Sequence, residues 1–224
     1  MGFFSKFAKA MLVAAVSSNA DKKKSNSSSQ TKSGEVTWEA YNDRETGYPQ
    51  SFERNNREWL DAERTWASPS GEFFVHEGYF YGKDDDDAKT CIALTTKTEG
   101  LKRKTIEDSV DAACVSDEGV AYALTDSGTL HRLTKDGTSS KHLMDEYYGF
   151  AMNNKVCVLI DDDGDNINLV AVNLITDATL KKQFAYEDNI ELENGSLLEP
   201  SVVIEGDNII VTIPDDTKQV IKFP

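Results

Sequence analysis

From Phe73 to Phe223 the chain is a succession of short apolar or alternating runs, each closed by glycine, aspartate or asparagine. Runs of this kind are strands bounded by turns, and a stretch built of little else folds only by pairing and stacking them. They fall into four sets. The first comprises Phe73–His76, Tyr79–Tyr81, Thr90–Leu94 and Leu101–Ile106, and the second Ala113–Val115, Val120–Leu124, Thr129–Leu133 and Ser140–Leu143. The third comprises Gly149–Met152, Val156–Ile160, Ile167–Leu174 and Leu180–Tyr186. The fourth, Ser201–Ile204, Ile209–Ile213 and Val220–Phe223, is one run short. The corresponding positions Gly78, Gly119, Asn154 and Gly206 lie 41, 35 and 52 residues apart, near the pitch of four-stranded propeller blades. The longest interval holds the insertion Glu187–Pro200.

Glu118–Gly137 carries the pattern most fully. Gly119 precedes the aromatic-bearing strand around Tyr122, Gly128 is followed by Thr129 and Leu130, and Leu133 is followed four residues later by Gly137. This segment resembles one blade of the PQQ-like or outer-membrane-assembly type of β-propeller; the other sets are similar in architecture only. The resemblance implies an all-β fold, a small propeller-like array of about four antiparallel four-stranded repeats. The repeated tryptophan of the quinone-binding members is absent, as is the Gly-His and Trp-Asp signature of WD40 repeats, so no cofactor and no ligand residue is implied. A closed minimal ring, an incomplete ring, a curved sheet and a sandwich all remain open.

Two segments precede the repeats. Glu35–Tyr41 alternates apolar and polar residues as an outer strand does, and is expected either to complete the fourth set or to stand as an independent edge strand. After the turn at Tyr48-Pro49-Gln50, Ser51 is a cap for a helix over Phe52–Trp66, with Phe52, Asn56, Trp59, Leu60, Glu63 and Trp66 on one side. Trp59 and Trp66 are the candidate aromatic anchors, for a partner or for docking that helix on its own domain.

The amino-terminal residues differ from this body. Residues 1–20 admit two main readings: a secretory signal, with Lys6 and Lys9, a seven-residue apolar run and Ser18-Asn19-Ala20 before Asp21, or an amphipathic helix presenting Phe3, Phe4, Phe7, Met11 and Leu12. Gly2 opens a myristoylation pattern that Ser5 misses by one place. Residues 21–34 form a polar, serine-rich tether, and Lys22-Lys23-Lys24 extends a membrane-surface contact to residues 1–24. The body is expected to span 35–224. Localisation follows the same alternatives: cytoplasmic with membrane association, or secreted or periplasmic after cleavage following Ala20.

Charge separates the two parts. The chain carries −15 overall, and six lysines against one aspartate in residues 1–34 leave −20 on the rest. So acidic a body repels phosphate backbones, which sets nucleic acid aside and favours a basic protein partner. Catalytic signatures are missing. His76, His131 and His142 fall in separate strands without zinc-ligand spacing, and Cys91, Cys114 and Cys157 sit in apolar runs as structural thiols. No nucleophile elbow, phosphate loop or dinucleotide loop occurs. His76-Glu77 is an acid–base pair in composition, although a hairpin end is its commoner home.

Aspartate is the residue that recurs with position. Between the second and third runs of each set stand Asp84, Asp85, Asp86 and Asp87; Asp126; Asp161, Asp162, Asp163 and Asp165; and Asp215 and Asp216. Placing Gly164 sixth in a calcium-binding EF-hand loop puts Leu159 first and Val170 twelfth, where oxygen ligands are required, so that motif fails. A looser calcium site at Asp161, Asp163 and Asp165 stays open beside an acidic hairpin turn. If the sets are equivalent, these turns share one face. The expected function is therefore a non-catalytic protein-binding or scaffold module presenting an acidic turn face. The alternatives are an exported enzyme or small-ligand-binding propeller using a central channel, and a calcium-stabilised structural domain.

Overall fold

The computed structural model describes residues 38–54, 57–81, 88–186, 190–192 and 195–223. All regular structure among them is strand. The first sheet, in order β1-β2-β3-β4-β5-β6, consists of β1 (Trp38–Asn42), β2 (Pro49–Arg54), β3 (Arg57–Ala67), β4 (Phe73–Phe80), β5 (Lys89–Thr96) and β6 (Gly100–Thr105). The second, ordered β10-β9-β8-β7, comprises β7 (Val110–Val115), β8 (Ala121–Thr125), β9 (Thr129–Thr134) and β10 (Gly137–His142). The third runs β11 (Gly149–Met152), β12 (Val156–Asp162), β13 (Asn166–Asn173) and β14 (Thr179–Ala185), and the fourth β15 (Ser201–Glu205), β16 (Asn208–Thr212) and β17 (Lys218–Lys222). The fold is all-β, in four successive sheets of antiparallel strands, a connectivity consistent with a propeller-like fold.

The described residues group into two compact units: everything up to Ala123 together with Arg132–Ser139, and Leu124–His131 together with everything from Ser140. In the first, alternation along β5 sends side chains to opposite faces. Ile92 and Leu94 join Val75, Val110, Val115, Ala121 and Leu133 in one core, while Cys91 and Ala93 meet Phe52 and Leu60 on the other side. In the second unit, Val158 and Ile160 of β12 and Ile167 and Leu169 of β13 pack on Val202, Ile209, Val211 and Ile221 of the fourth sheet. Each such fully buried aliphatic side chain contributes about 1.5–3 kcal/mol.

Three expectations are corrected. The helix over 52–66 is instead the hairpin β2–β3, with Phe52 opposite Leu60 and Arg54 opposite Arg57. Both Phe52 and Leu60 are fully buried, so burial of a period-two face outweighs helix-compatible spacing. The segment around Glu35–Tyr41 does not complete the fourth sheet: β1 pairs with β2, Ala40 opposite Phe52. The first set is not four-stranded, since Phe73–Phe80 is one continuous strand and Gly78, expected at a turn, lies mid-strand opposite Ala62. The readings of residues 1–34 lie outside the described residues.

Candidate functional site

The β12–β13 turn is held by its own aspartates. Asp163 Oδ1 accepts the backbone N–H groups of Asp165 at 3.1 Å and Asn166 at 2.8 Å, and its Oδ2 accepts Asn168 Nδ2 at 3.0 Å. Asp162 Oδ1 accepts Gly164 N at 2.9 Å and the Tyr186 hydroxyl at 2.6 Å. Gly164, at φ +95°, supplies the backbone shape that other residues rarely adopt. These donors, Asn168 first, hold the Asp163 carboxyl below the usual carboxylate range. Asp161 behaves oppositely: partial burial raises it, and the charges of Asp162, Asp163 and Glu146 add to that shift. Among the described residues no lysine or arginine forms an ion pair with Asp161, Asp162, Asp163 or Asp165. The turn is therefore tied by its own hydrogen bonds, and its carboxylates have no cationic partner among the described residues.

Two sheet-to-sheet connections tie this turn to its counterparts. The connection leaving β10 meets the β8–β9 turn first, where Leu143 N donates to Gly128 O at 2.9 Å and the Tyr147 hydroxyl to Thr125 O at 3.2 Å. Its next residue reaches the third sheet, Tyr148 N donating to Ile160 O at 2.7 Å. The connection leaving β14 begins at the same β12–β13 turn, through Tyr186 N to Asp165 O at 3.2 Å, and arrives at the β16–β17 turn, through Ile190 N to Pro214 O at 3.0 Å. The first connection thus runs from the β8–β9 turn to β12 next to Asp161, and the second from the β12–β13 turn to the β16–β17 turn. Gly128 is required for the first contact, because a Cβ there would lie 1.8 Å from Met144 O.

In the β8–β9 turn Asp126 is exposed. In the β16–β17 turn Asp215 Oδ1 accepts Thr217 N at 2.7 Å, and Asp216 takes the left-handed backbone at φ 63°, which aspartate tolerates better than most residues. Asp84, Asp85, Asp86 and Asp87 lie outside the described residues. The sequence did not mark the residues that join the cluster from the connections. Glu146 acts on Asp161, and Glu199 on Tyr148. Burial first, then the hydrogen bond and charge of Glu199, pushes the Tyr148 phenol up to about 12; burial and Asp162 do the same to Tyr186. Both stay protonated donors beside the carboxylates.

The other candidates are dispersed. Trp66 is half-buried against the first unit's core, with the Arg64 guanidinium 5.4 Å from its ring; Trp59 lies on β3, and its side chain is outside the described part. His76 and Glu77 point to opposite faces of β4 and form no acid–base pair. His76 is fully buried between the Thr65 and Thr95 hydroxyls, 2.9 Å from Nδ1 and 2.8 Å from Nε2, and burial lowers its pKa to about 3. Glu77 instead pairs with Arg64 and accepts Val110 N at 2.9 Å. His131 meets Ser140 Oγ at 3.0 Å, and His142 meets Asp145 at 2.9 Å. Burial pushes the Cys91 thiol up to about 11 and that of Cys114 up to about 12, the reverse of what a nucleophile needs.

No family model matches the chain, and no curated protein matches it. Several solved structures are similar in part. The computationally designed Ika4 protein aligns at 12% identity and a TM-score of 0.42, over 71% of this chain and 89% of that one. TolB from Acinetobacter baumannii aligns at 15% identity and 0.35, over 81% and 50%, and an oligogalacturonate lyase in complex with manganese at 14% and 0.42, over 84% and 57%. The chain spans about half the length of the last two.

Proposed function

We propose that the protein is a non-catalytic binding module whose acidic turns engage a basic segment of a protein partner. The observation that carries this reading is the series of contacts by which the two connections join the turns bearing Asp126, Asp161–Asp165 and Asp215–Asp216. Carboxylates gathered without cationic partners repel one another, and that repulsion is relieved when lysine or arginine side chains bind. The turn backbones are fixed beforehand by Asp162, Asp163 and Asp215, which lowers the ordering cost of association.

The test separates charge from scaffold. Asp126, Asp161, Asp165 and Asp216 are replaced together by asparagine, leaving Asp162, Asp163 and Asp215 to hold the turns. Binding of a fluorescent decalysine peptide at low salt is expected to weaken at least tenfold, with the thermal midpoint unchanged or raised, and the wild-type affinity is expected to fall steeply with added salt. Equal affinity of the two proteins for the peptide would sink the reading. Competition by calcium at micromolar concentration would instead assign the carboxylates to a cation site.

A further inference from the structure

Among the described strands the fourth sheet ends at β17, and its backbone register says which atoms that edge presents. Ile213 N donates to Thr217 O, and at the far end Phe223 N donates to Asp207 O. Antiparallel pairs alternate between hydrogen-bonded and non-hydrogen-bonded. The intervening pairs Val211 with Gln219 and Ile209 with Ile221 therefore exchange the ladder bonds, whereas Thr212 with Lys218, Ile210 with Val220 and Asn208 with Lys222 do not. The N–H and C=O groups of Lys218, Val220 and Lys222 consequently point away from β16, towards the side on which no described strand pairs. On the other side of the sheet, β15 lies beside β11 and β12, so β17 is the edge left unpaired among the described strands.

The side chains of those same three residues share one face, because they are two apart. Val220 continues a row that crosses the whole sheet, Val203 opposite Ile210 and Ile210 opposite Val220. Its two ends are bare, Val203 being 48% and Val220 63% exposed. Lys218 and Lys222 flank Val220, are exposed, and take part in no ion pair among the described residues. The edge strands β6, β10 and β14 expose no comparable apolar row, their exposed residues being threonine, serine, lysine, glutamine, one histidine and one alanine.

We propose that β17 takes up an extended acidic peptide segment of a partner protein as a fourth, antiparallel strand. The incoming residue opposite Val220 is apolar and extends the Val203–Ile210–Val220 row. The residues two places before and after it are carboxylates, set opposite Lys222 and Lys218. Backbone bonds at Lys218, Val220 and Lys222 supply affinity, and the acidic–apolar–acidic spacing supplies specificity. Charge decides the occupant. A second copy of β17 paired antiparallel about Val220 would set Lys218 against Lys222 twice, and like charges directly opposite are destabilising. This surface is distinct from the acidic turns, and its partner has the opposite charge.

The experiment uses the full chain and a fluorescent heptapeptide of threonines with valine at the centre and aspartate two residues to either side. Val220→Pro removes an outward N–H that the sheet itself does not use, a substitution edge strands accept. Saturable binding of the peptide is expected, weakened at least tenfold by Val220→Pro at an unchanged thermal midpoint. Lys218→Glu with Lys222→Glu is expected to lose the aspartate peptide and gain the otherwise identical lysine peptide, a reversal that stands even if the proline variant folds poorly. Absence of binding at millimolar peptide overturns the proposal. So does unaltered binding by either variant, or a wild-type dimer in sedimentation equilibrium that Val220→Pro dissolves.

Discussion

Replacing Gly78 by alanine tests the first sheet where sequence and structure disagree most. Gly78 lies in the middle of β4, opposite Ala62, at the point where Glu63 is bulged out of β3. An added Cβ would stand 2.1 Å from the Asp61 carbonyl oxygen and 2.9 Å from the Ala62 Cα. A carbon–oxygen contact is comfortable at about 3.3 Å, so β3 and β4 must part by about 1 Å. Neither obstacle is a flexible side chain. Overpacking by small groups costs about 1–3 kcal/mol; with backbone in the way the upper end applies, and one or two weakened ladder bonds at about 1 kcal/mol each bring the total to about 4 kcal/mol. Urea unfolding followed by far-ultraviolet circular dichroism measures it directly, as a lower midpoint at a similar slope. Gly206→Ala is the control: it has φ +60° with open space around it, so backbone strain alone should cost about 1 kcal/mol. A Gly78→Ala loss no larger than that of Gly206→Ala would refute the close approach of β3 to β4.

Burial of neutral His76 makes stability depend on pH in a definite direction. Its folded pKa, about 3, lies below its ordinary 6.5, so between these values only the unfolded chain takes the proton; stability should fall as pH drops through that window, by up to about 1.4 kcal/mol per unit. His76→Gln should remove that increment from the measured slope between pH 6 and pH 4, and an unaltered slope would contradict the burial. The cysteines give a chemical check: with Cys91 and Cys114 raised by burial and Cys157 enclosed, none should react with a disulfide reagent at pH 8 within minutes, and all three should do so in guanidinium. Rapid native labelling at Cys91 would mean that the core around Phe52 and Leu60 opens.

The second, third and fourth sheets were legible because their strands are short, apolar and punctuated. Gly119, Gly128, Gly164 and Gly206 all sit at turns with positive φ, and the expected runs agree with β7 to β17 to within a few residues. The first sheet was not legible, for two physical reasons. A glycine between Phe73–His76 and Tyr79–Tyr81 reads as a turn, yet Gly78 is needed mid-strand because another backbone passes against it. The segment from Phe52 to Trp66 has few β-branched residues and many charges, which gives it helix-like spacing. Its strand state rests on burial of Phe52 and Leu60 against Cys91 and Ala93, contacts far off in sequence. The hint that was available is Asn55-Asn56, a pair suited to a tight connection between two strands.

At the candidate site the sequence named the aspartates but could not divide their labour. Asp163 in the turn and Asp161 near the end of β12 stand two residues apart and shift in opposite directions, one surrounded by N–H donors, the other half-buried beside like charges. Spacing alone cannot reveal this, since it depends on Asn168 and Asn166 turning inward and on Glu146 arriving from another connection. The division matters for binding. A carboxylate already satisfied by the turn, such as Asp163, has little to gain from a cation and serves to fix geometry. One raised by burial and then by the charges beside it, such as Asp161, has more to gain when a positive charge approaches. The described aspartates therefore fall into two populations: those that build the turns and those without an ion-pair partner among the described residues. On the proposed reading it is the second population, carried on turns held by the first, that a basic partner would contact.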